Sequence, residues 1–493
     1  MLKSTQSYRV TIILSVSLAT RWYLIFQGGQ YYFSDEQRYE TSRAFAKLLL
    51  AGNFSEAFSH LFTAPEHLGF KIIGIIPAFI EQLTRESLVL PALFFSLFSV
   101  LNLYLIYQIS KRTGASGKES FTALVFAASS MSLLYYARHL IPYDTAMTFG
   151  LLAIYTATSN QVTYKTSLLC GATAFLCFIT YNGYWSLAAL VMLFHALRQS
   201  KNFADLARKG LLTAAGFILP AILLIAISAV TGTNLLNEYR VFATTVSQGA
   251  FDEGWSLPFE YFWHTEHIVF IILGALSIYA IAHATRKKER APILWAGAIT
   301  FLYLCLVIPS VFLHSFVVYG RLARQMMPFL ILLSASGLER LEQNFSFGKK
   351  LARIILAAIA IQAAWNYQAS YALTYPREFA QQAQSLHPEF VFSEKRLTFG
   401  APTLCQNNGY IIEYVKHFGI PPESNPPILG EILLSAQHPD NFLPYQYEGY
   451  TYEERQYLRE LKPEMRFYKA DVEFMSDSNP LWKTMKSCVV KEN

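Results

Sequence analysis

Charged residues are scarce in this chain. Asp, Glu, Lys and Arg together make up 15% of its 493 residues, whereas a soluble domain carries about 25%. Hydrophobic residues make up 53%, and the mean hydropathy is +0.27. A soluble protein of this length would form about three domains, but so low a charge density together with so many apolar residues indicates a protein of the lipid bilayer.

Cysteine and glycine exclude several other classes of protein. The five cysteines are too few for a disulfide-stabilised scaffold, and glycine shows no collagen-like period. The sequence has no glycine-rich phosphate-binding loop followed by lysine, which argues against a nucleotide-driven pump. We expect no nucleic acid among its partners.

The net charge of +6 divides unevenly along the chain. Residues 1–366 hold 28 basic and 18 acidic residues, whereas residues 367–493 hold 12 and 16. The second segment has the charge density of a soluble domain, and its proline and asparagine clusters are typical of long loops. We therefore predict a membrane domain over 1–366 and a small mixed α/β domain over 367–493. The two cysteines of the second domain, Cys405 and Cys488, either pair in a disulfide or remain free thiols.

Apolar segments in residues 1–366 predict an all-α polytopic membrane protein with about 11 transmembrane helices, each of which needs roughly 20 mainly apolar residues. The segments lie at 10–27, 88–109, 120–136, 144–158, 166–180, 184–198, 210–230, 267–284, 292–312, 325–337 and 351–366. Several are short, which is typical of broken helices and of helices shielded within a bundle.

Basic residues predict the orientation of the membrane domain, because Lys and Arg are retained on the cytoplasmic side. Eighteen of the 28 basic residues collect in one set of loops, which we assign to the cytoplasm together with the N-terminus. The opposite, outer face then carries the C-terminal domain and the loops at 28–87, 137–143, 231–266 and 313–324. We expect an integral protein of the bacterial inner membrane, with the C-terminal domain in the periplasm.

The apolar segment 69–83 is a further candidate for a span. If it crossed the membrane, every later loop would be inverted and the basic clusters would be exported. Its Lys71, Pro77 and Glu81 favour instead an interfacial or re-entrant helix on the outer face.

The first outer loop contains two adjacent carboxylates, Asp35 and Glu36, followed by Arg38. Aromatic residues before the pair would anchor the loop at the headgroup level, and the apolar spacing of residues 44–58 predicts a helix lying on the bilayer. This arrangement presents a carboxylate to a lipid-borne substrate. An Asp-Glu pair in a loop is also typical of a solvated turn, since carboxylates are usually exposed.

A second polar group lies between the third and fourth predicted spans. Arg138 and His139 precede Asp144, which begins an apolar helix. The two cations are suited to binding a phosphate. The Asp144 carboxylate takes part in the chemistry or caps the helix, where a cap contributes about 1 kcal/mol, and the two roles are compatible.

Two arginines on the outer side, Arg321 and Arg324, are three residues apart and would share one helix face. Basic residues are depleted on this side of membrane proteins, which favours a role in anion binding. The alternative is that both side chains extend to lipid headgroups.

His264 and His267 are also three residues apart and are candidate metal ligands. Their spacing is not that of a zinc-protease motif. We predict that no cofactor is required, with a divalent metal ion as the alternative.

In their order along the chain, these motifs resemble the GT-C superfamily of membrane glycosyltransferases, in particular the branch of protein O-mannosyltransferases and lipid A aminoarabinose transferases. That branch has Asp-Glu followed by Arg-Tyr in the first outer loop, an interfacial segment that opens with Glu and Lys or His before prolines, an Asp in the second outer loop, and arginines with a proline at the start of a late span. The matching residues are Asp35, Glu36, Arg38, Tyr39, Glu66, His67, Asp144, Arg321, Arg324 and Pro328. The paired prolines of the interfacial segment are absent here, and the resemblance covers about residues 5–340.

The resemblance implies transfer of a sugar from a polyprenyl phosphate to a hydroxyl group of a lipid, glycan or protein. The leaving group is a phosphate, so it needs positive charge rather than a proton. The residues that would supply this charge are Arg38, His67, Lys71, Arg138, His139, Arg321 and Arg324. Asp35 would be the base, kept ionised by Arg38, while Glu36 and Asp144 would orient the acceptor or hold a cation. Direct displacement with one carboxylate would invert the anomeric carbon.

Two other functions are compatible with this composition. A transporter or flippase of lipid-linked sugars would place ionisable residues near the middle of the membrane and show matching halves, whereas the charges here gather at one outer surface and no matching halves are visible. An oligosaccharide ligase or polymerase would also work on the outer face with Arg and His.

A reporter fused after Asn493 tests the predicted topology. An odd number of spans places the C-terminus outside, so a reporter that is active only in the cytoplasm should give no signal. A strong cytoplasmic signal would contradict both the orientation and the outer position of the candidate residues.

Overall fold

The computed structural model describes residues 2–26, 37–84, 87, 89–159, 163–198, 200, 202–247, 255–313, 320–367, 391–393 and 398–400. This part of the chain is almost entirely helical. Its helices are α1 (Leu2–Phe26), α2 (Gln37–Leu50), α3 (Phe54–Phe62), α4 (Leu68–Leu83), α5 (Val89–Arg112), α6 (Gly117–Ser129), α7 (Met131–Leu134), α8 (Tyr143–Ala157), α9 (Tyr164–Thr180), α10 (Trp185–Leu197), α11 (Phe203–Val230), α12 (Leu235–Ser247), α13 (Leu257–Glu266), α14 (Ile268–Lys287), α15 (Arg290–Val311), α16 (Gly320–Ala323), α17 (Met327–Asn344) and α18 (Gly348–Tyr367). Turns of 3₁₀ helix lie at Tyr135–Arg138, Asn182–Tyr184 and Arg324–Met326.

Two short strands follow the helices. Strand β1 (Val391–Ser393) pairs antiparallel with β2 (Thr398–Gly400), and Phe392 lies opposite Phe399. The rest of the predicted α/β domain, including Cys405 and Cys488, lies outside the described residues. The domain boundary near residue 366 therefore remains a prediction.

Every predicted span coincides with a helix. Within the described residues, five helices are long and apolar enough to cross a membrane alone, namely α1, α5, α11, α14 and α15. Helices α6 and α7 with the turn after them meet the same criterion together but bend by 68°. The remaining predicted spans correspond to α8, α9, α10, α17 and α18, which are shorter or more polar. The protein is a helical integral membrane protein, and the count of eleven spans remains a prediction.

Helix α8 occupies the interior of the bundle, where it packs against α5, α9 and α10. On the other side of the bundle, α17 packs against α14, α15 and α18, and its contact with α6 joins the two groups of helices. Buried aliphatic and aromatic side chains such as Leu151, Ile154 and Phe329 fill the space between the helices. Apolar residues also cover much of the outside, as expected where lipid replaces water.

The loops rich in Lys and Arg meet at one end of the bundle. Arg112 at the end of α5 donates a hydrogen bond to the carbonyl of Tyr155 (2.7 Å), and Arg198 after α10 donates to the carbonyl of Ala157 (2.7 Å). Both acceptors lie in the last turn of α8, where a cation satisfies free carbonyls and opposes the helix dipole. The contacts thus gather the loops that we assign to the cytoplasm; the compartment itself remains a prediction.

The first outer loop is more structured than expected. Residues 37–83 form α2, α3 and α4, and the predicted helix over 44–58 is wrong, because α2 ends at Leu50 and α3 begins at Phe54. Between them Gly52 adopts a φ of +80°, a conformation that side chains with a Cβ disfavour. The predicted interfacial helix over 69–83 corresponds to α4, which packs against α2, α5 and α9.

Two glycines bring the backbones of α9 and α11 into contact. Gly171 of α9 faces the carbonyl oxygen of Thr213, and Gly216 of α11 faces the carbonyl oxygen of Leu168. A Cβ atom at either glycine would overlap these backbone atoms. Small residues at such crossings allow the close packing that holds helices together in lipid.

The variant Gly216→Ala should lower the thermal stability of the purified protein. The added methyl group meets backbone that cannot rotate away, and such overpacking costs about 1–3 kcal/mol. Gly210→Ala on the same helix is the matched control, since a Cβ there meets nothing within 4 Å. Equal melting temperatures for the two variants would show that the α9–α11 contact is not tight.

Candidate active site

A buried carboxylate fixes α2 to α4 at the end of the bundle where α5 begins. Glu81 of α4 accepts two hydrogen bonds from Arg43 of α2, Nη2 to Oε1 at 2.8 Å and Nε to Oε2 at 2.9 Å. The hydroxyl of Tyr39 donates to Oε2 (2.9 Å), and the backbone N–H of Ser87 donates to Oε1 (3.1 Å). The Glu81 side chain is fully buried, so this network orients the start of α2, directly after the first outer loop.

Lys71 places an amine in the interior near the start of α4. Its Nζ donates to the carbonyl of Ala64 (2.5 Å) and lies 3.5 Å from the carboxylate of Glu66. Burial is the main cause that lowers the pKa of Lys71 to about 8; Glu66 opposes the shift, and the positive charge of Arg38 adds to it. Two predicted phosphate ligands, Lys71 and Arg38, therefore lie within electrostatic range of one another.

His67 belongs to the same group as Lys71 and Arg38, and its backbone conformation is unusual. It precedes α4 with a φ of +55°, which few residues other than glycine adopt. Its backbone N–H donates to the side-chain oxygen of Asn182 (3.1 Å), and its ring centroid lies 5.0 Å from that of Tyr181. The turn between α9 and α10, which the sequence analysis did not single out, thus forms one wall of the site.

Tyrosine rings connect His67 with the second polar group. The ring of Tyr181 lies 4.8 Å from that of Tyr143, which lies 5.0 Å from that of Tyr136. The guanidinium of Arg324 lies over the Tyr136 ring, 5.3 Å from its centroid. All three rings are buried. The predicted cations of α4 and of the late outer segment are therefore parts of one continuous arrangement.

Asp144 forms an ion pair with Arg324, Nη2 to Oδ1. Both side chains are buried, and Nε of Arg324 also donates to the carbonyl of Ser132 (2.5 Å). Helix α8 begins at Tyr143 with Pro142 as its N-cap, so Asp144 lies inside the helix and does not occupy the capping position. Removing one partner of a buried pair typically costs about 3–5 kcal/mol, so each residue strongly constrains the other.

The remaining nitrogen of Arg324 lies near the hydroxyl of Tyr184. Among the described residues, Nη1 of Arg324 and the hydroxyl of Tyr184 are buried without a hydrogen-bond partner. The two groups interact electrostatically. Unsatisfied buried donors are rare and are expected to meet a water or a ligand oxygen.

Arg138 and His139 lie in the turn that leads from α7 to α8. Arg138 belongs to the 3₁₀ turn that also carries Tyr136, and the ring of His139 lies 5.5 Å from that of Tyr135. Both residues are buried. Of the second predicted group, 138–144, the structure pairs Asp144 with Arg324.

Several predicted residues are not placed by the structure. Asp35 and Glu36 lie outside the described residues, as do the side chains of Arg321 and His264. His267 is the N-cap of α14, and its ring lies 6.2 Å from that of Trp263. Within the described part of the chain, no three His, Cys, Asp or Glu side chains form a group that could hold a metal ion.

Several residues that build the site were not identified as site residues from the sequence. Glu81 and Glu266 are buried carboxylates, and their only signal was a charge beside an apolar helix. Tyr181 and Asn182 carry no charge and lie in a short turn, so their sequence gives no periodic pattern. Long-range packing alone reveals their positions.

Comparison with known proteins gives structural neighbours only. No family model matches the sequence, and no curated protein sequence matches it. The crystal structure of ArnT from Cupriavidus metallidurans in the apo state matches with a TM-score of 0.51 and 11% identity, over 98% of this chain and 77% of that chain. The oligosaccharyltransferase of Archaeoglobus fulgidus, tethered with an acceptor peptide, matches with a TM-score of 0.45 and 12% identity, over 78% of this chain and 58% of that chain. The same archaeal enzyme, AglB, in complex with an inhibitory peptide and a dolichol-phosphate matches with a TM-score of 0.44 and 12% identity, over 76% of this chain and 58% of that chain.

This chain therefore spans less than three fifths of the length of the archaeal oligosaccharyltransferase. The match to ArnT, in contrast, includes nearly the whole length of this chain. ArnT is a membrane glycosyltransferase of the GT-C superfamily. The fold that the sequence motifs implied is confirmed: over nearly its whole length, this chain has the fold of ArnT.

Proposed function

We propose that this protein is a membrane glycosyltransferase that moves a sugar from a polyprenyl-phosphate donor to a hydroxyl group of a lipid, glycan or protein acceptor. The observation that carries the proposal is the gathering of buried cations and carboxylates at one end of a GT-C bundle. Lys71, His67 and Arg324 belong to this gathering, and tyrosine rings connect them. Ionisable groups at one end, rather than along a central path, favour chemistry over passage through the membrane.

Binding of the donor phosphate is assigned first to Lys71, Arg38 and His67. A buried amine interacts more strongly with an anion than an exposed one, because water does not screen it. Lys71 has Glu66 as a partly exposed partner, and a phosphate can replace that partner without exposing the amine. Arg138, His139, Arg321 and Arg324 complete the positive surroundings, which stabilise the charge that develops on the leaving phosphate.

The base of the reaction is assigned to Asp35. The carboxylate takes the proton of the acceptor hydroxyl, the acceptor oxygen attacks the anomeric carbon, and the bond to the phosphate breaks with its electron pair remaining on the phosphate. Asp35 precedes α2 by two residues, and α2 is fixed by the Arg43–Glu81 pair. One displacement of this kind inverts the anomeric configuration.

The remaining carboxylates have supporting roles. Asp144 orients Arg324 through their ion pair, and Glu36 orients the acceptor or holds a cation. The reaction requires no cofactor. We assign it to the outer face of the bacterial inner membrane, with the C-terminal domain in the periplasm, on the basis of the basic loops at the opposite end of the bundle.

Donor use should depend on the protonation of Lys71. The amine is charged below its pKa of about 8 and loses its proton above it, so kcat/KM for a polyprenyl-phosphate sugar should fall as the pH rises through about 8, since this ratio reports the free enzyme. Lys71→Gln should lower kcat/KM roughly 10–100-fold, as expected for a charged hydrogen bond worth about 1.5–3 kcal/mol, and should remove this pH dependence.

Lys47→Gln is the matched control, because Lys47 is an exposed lysine in the last turn of α2. It should leave both kcat/KM and its pH profile unchanged. A wild-type profile that stays flat from pH 7 to pH 9 would remove Lys71 from the donor site.

Asp35→Asn should reduce transfer by about 10²–10⁴-fold, the usual contribution of a general base. The melting temperature should stay close to that of the wild type, whereas Asp144→Asn should lower it by leaving Arg324 buried without its anion. Glu56→Gln on α3 serves as an exposed acidic control and should transfer normally. Near-full transfer by a well-folded Asp35→Asn protein would mean that Asp35 and Glu36 form only a solvated turn.

A further inference from the structure

The break between α6 and α7 positions part of the site. The two helices bend by 68° at Ser130, whose backbone is extended (φ −77°, ψ 123°). Helix α7 is only four residues long and leads directly into the 3₁₀ turn that carries Tyr136 and Arg138. A broken helix inside a membrane protein leaves N–H and C=O groups that must find partners within the protein.

Glu266 satisfies the N–H side of this break. Its Oε1 accepts hydrogen bonds from the Ser130 hydroxyl (2.5 Å) and the Ser132 N–H (2.8 Å), and its Oε2 accepts one from the Met131 N–H (3.1 Å). The neighbouring Thr265 hydroxyl lies 3.0 Å from the hydroxyl of Ser132. Glu266 is fully buried and reaches the break from the end of α13, more than 130 residues further along the chain.

Arginines satisfy the C=O side of the same segment. The carbonyl of Ser132 accepts from Nε of Arg324 (2.5 Å), and the carbonyl of Leu133 accepts from Nη2 of Arg324 (3.5 Å) and from Nη2 of Arg21 (3.4 Å). Ser132 therefore bonds to Glu266 through its N–H and to Arg324 through its C=O. A continuous chain of polar contacts leads from Glu266 through Ser132 and Arg324 to Asp144.

We propose that Glu266 is a positioning residue for Arg324. By holding the segment 130–133, it sets the direction of the guanidinium and thereby the place where Nη1 meets a ligand. The inference rests on the proposed function, because it takes the surroundings of Arg324 as the site of transfer. Glu266 itself touches neither the donor nor the acceptor.

The chemistry of this position requires a carboxylate. Three donors converge on the two carboxylate oxygens of Glu266, and two of these donors are backbone N–H groups, which cannot accept a hydrogen bond in return. A glutamine would present an NH₂ group to one of these donors, which breaks a hydrogen bond and displaces the segment. An aspartate keeps both acceptor oxygens and shortens the side chain by one carbon, so it should restore part of the arrangement.

Glu266→Gln in the full-length protein is the first test. It should lower kcat for sugar transfer by roughly 10–100-fold, since a displacement of about 1 Å can cost about 10²-fold, with a much smaller change in donor KM. Glu266→Asp should recover part of kcat. Gly216→Ala is the control for stability, because it should lower the melting temperature while kcat per folded protein stays at the wild-type value. If Glu266→Gln likewise loses only stability, the carboxylate merely holds a helix end and the inference is overturned.

A double-mutant cycle in thermal unfolding tests the inference without relying on activity. Glu266→Gln and Arg324→Lys should shift the melting temperature non-additively, because both residues bind the same peptide segment. Arg324→Lys retains the charge opposite Asp144 and so avoids an unpaired carboxylate. Glu81→Gln combined with Arg324→Lys is the control pair and should be additive, since Glu81 lies in the α2–α4 network.

The two measurements separate the inference from the proposed function. Absence of transfer by the wild-type protein from any polyprenyl-phosphate sugar, with the Glu266–Arg324 coupling intact, would reject the function and leave the mechanical link. Additive melting shifts for Glu266→Gln and Arg324→Lys would reject the link, whether or not the wild type transfers sugar.

Discussion

A charge that is buried in a membrane protein must be neutralised by another part of the same protein, because neither lipid nor water is there to do so. The described ion pairs at this end of the bundle meet that constraint by joining separate segments. Arg43 and Glu81 join α2 to α4, and Asp144 and Arg324 join α8 to the turn before α17. The relative positions of these segments at the site are therefore determined by the ion pairs that join them.

The two halves of the site differ in how firmly their cations are held. Arg324 makes contacts with two carbonyls and a carboxylate, and its surroundings are fully buried. Lys71 has one carbonyl and the partly exposed Glu66. Replacing the partner of Lys71 costs less than replacing that of Arg324, because the more exposed carboxylate recovers its hydration when it is released. Under the proposed function, an incoming phosphate competes first with Glu66 for Lys71. Arg324 keeps its carbonyl and carboxylate partners and can offer the phosphate only its remaining N–H.

Much of this organisation was predictable from the sequence, because apolar runs define helices and a charge beside such a run demands a partner or a function. Asp144, Arg138 and Arg324 were singled out in this way, and the structure pairs Asp144 with Arg324. Their pairing was not predictable, since Asp144 and Arg324 are 180 residues apart. Glu266 was passed over between two histidines that drew attention as metal ligands, and the break at Gly52 was hidden by apolar spacing that continued across it. Glu266 was missed because its contacts are made with a distant segment. The break at Gly52 was missed because it depends on a single backbone angle.

Helix α8 is held by arginines at both ends, by Arg324 through Asp144 at its start and by Arg112 and Arg198 at its last carbonyls. Its 15 residues span about 22 Å at about 1.5 Å per residue, whereas the hydrocarbon core of a bilayer is about 30 Å thick. Both charged ends cannot lie at headgroup level unless the bilayer is thinner around α8. If α8 crosses the membrane as the sequence predicts, either the membrane is locally compressed or one end of the helix is recessed below the surface. At such a depth, a phosphate carried on a lipid arrives more readily than a sugar nucleotide from solution.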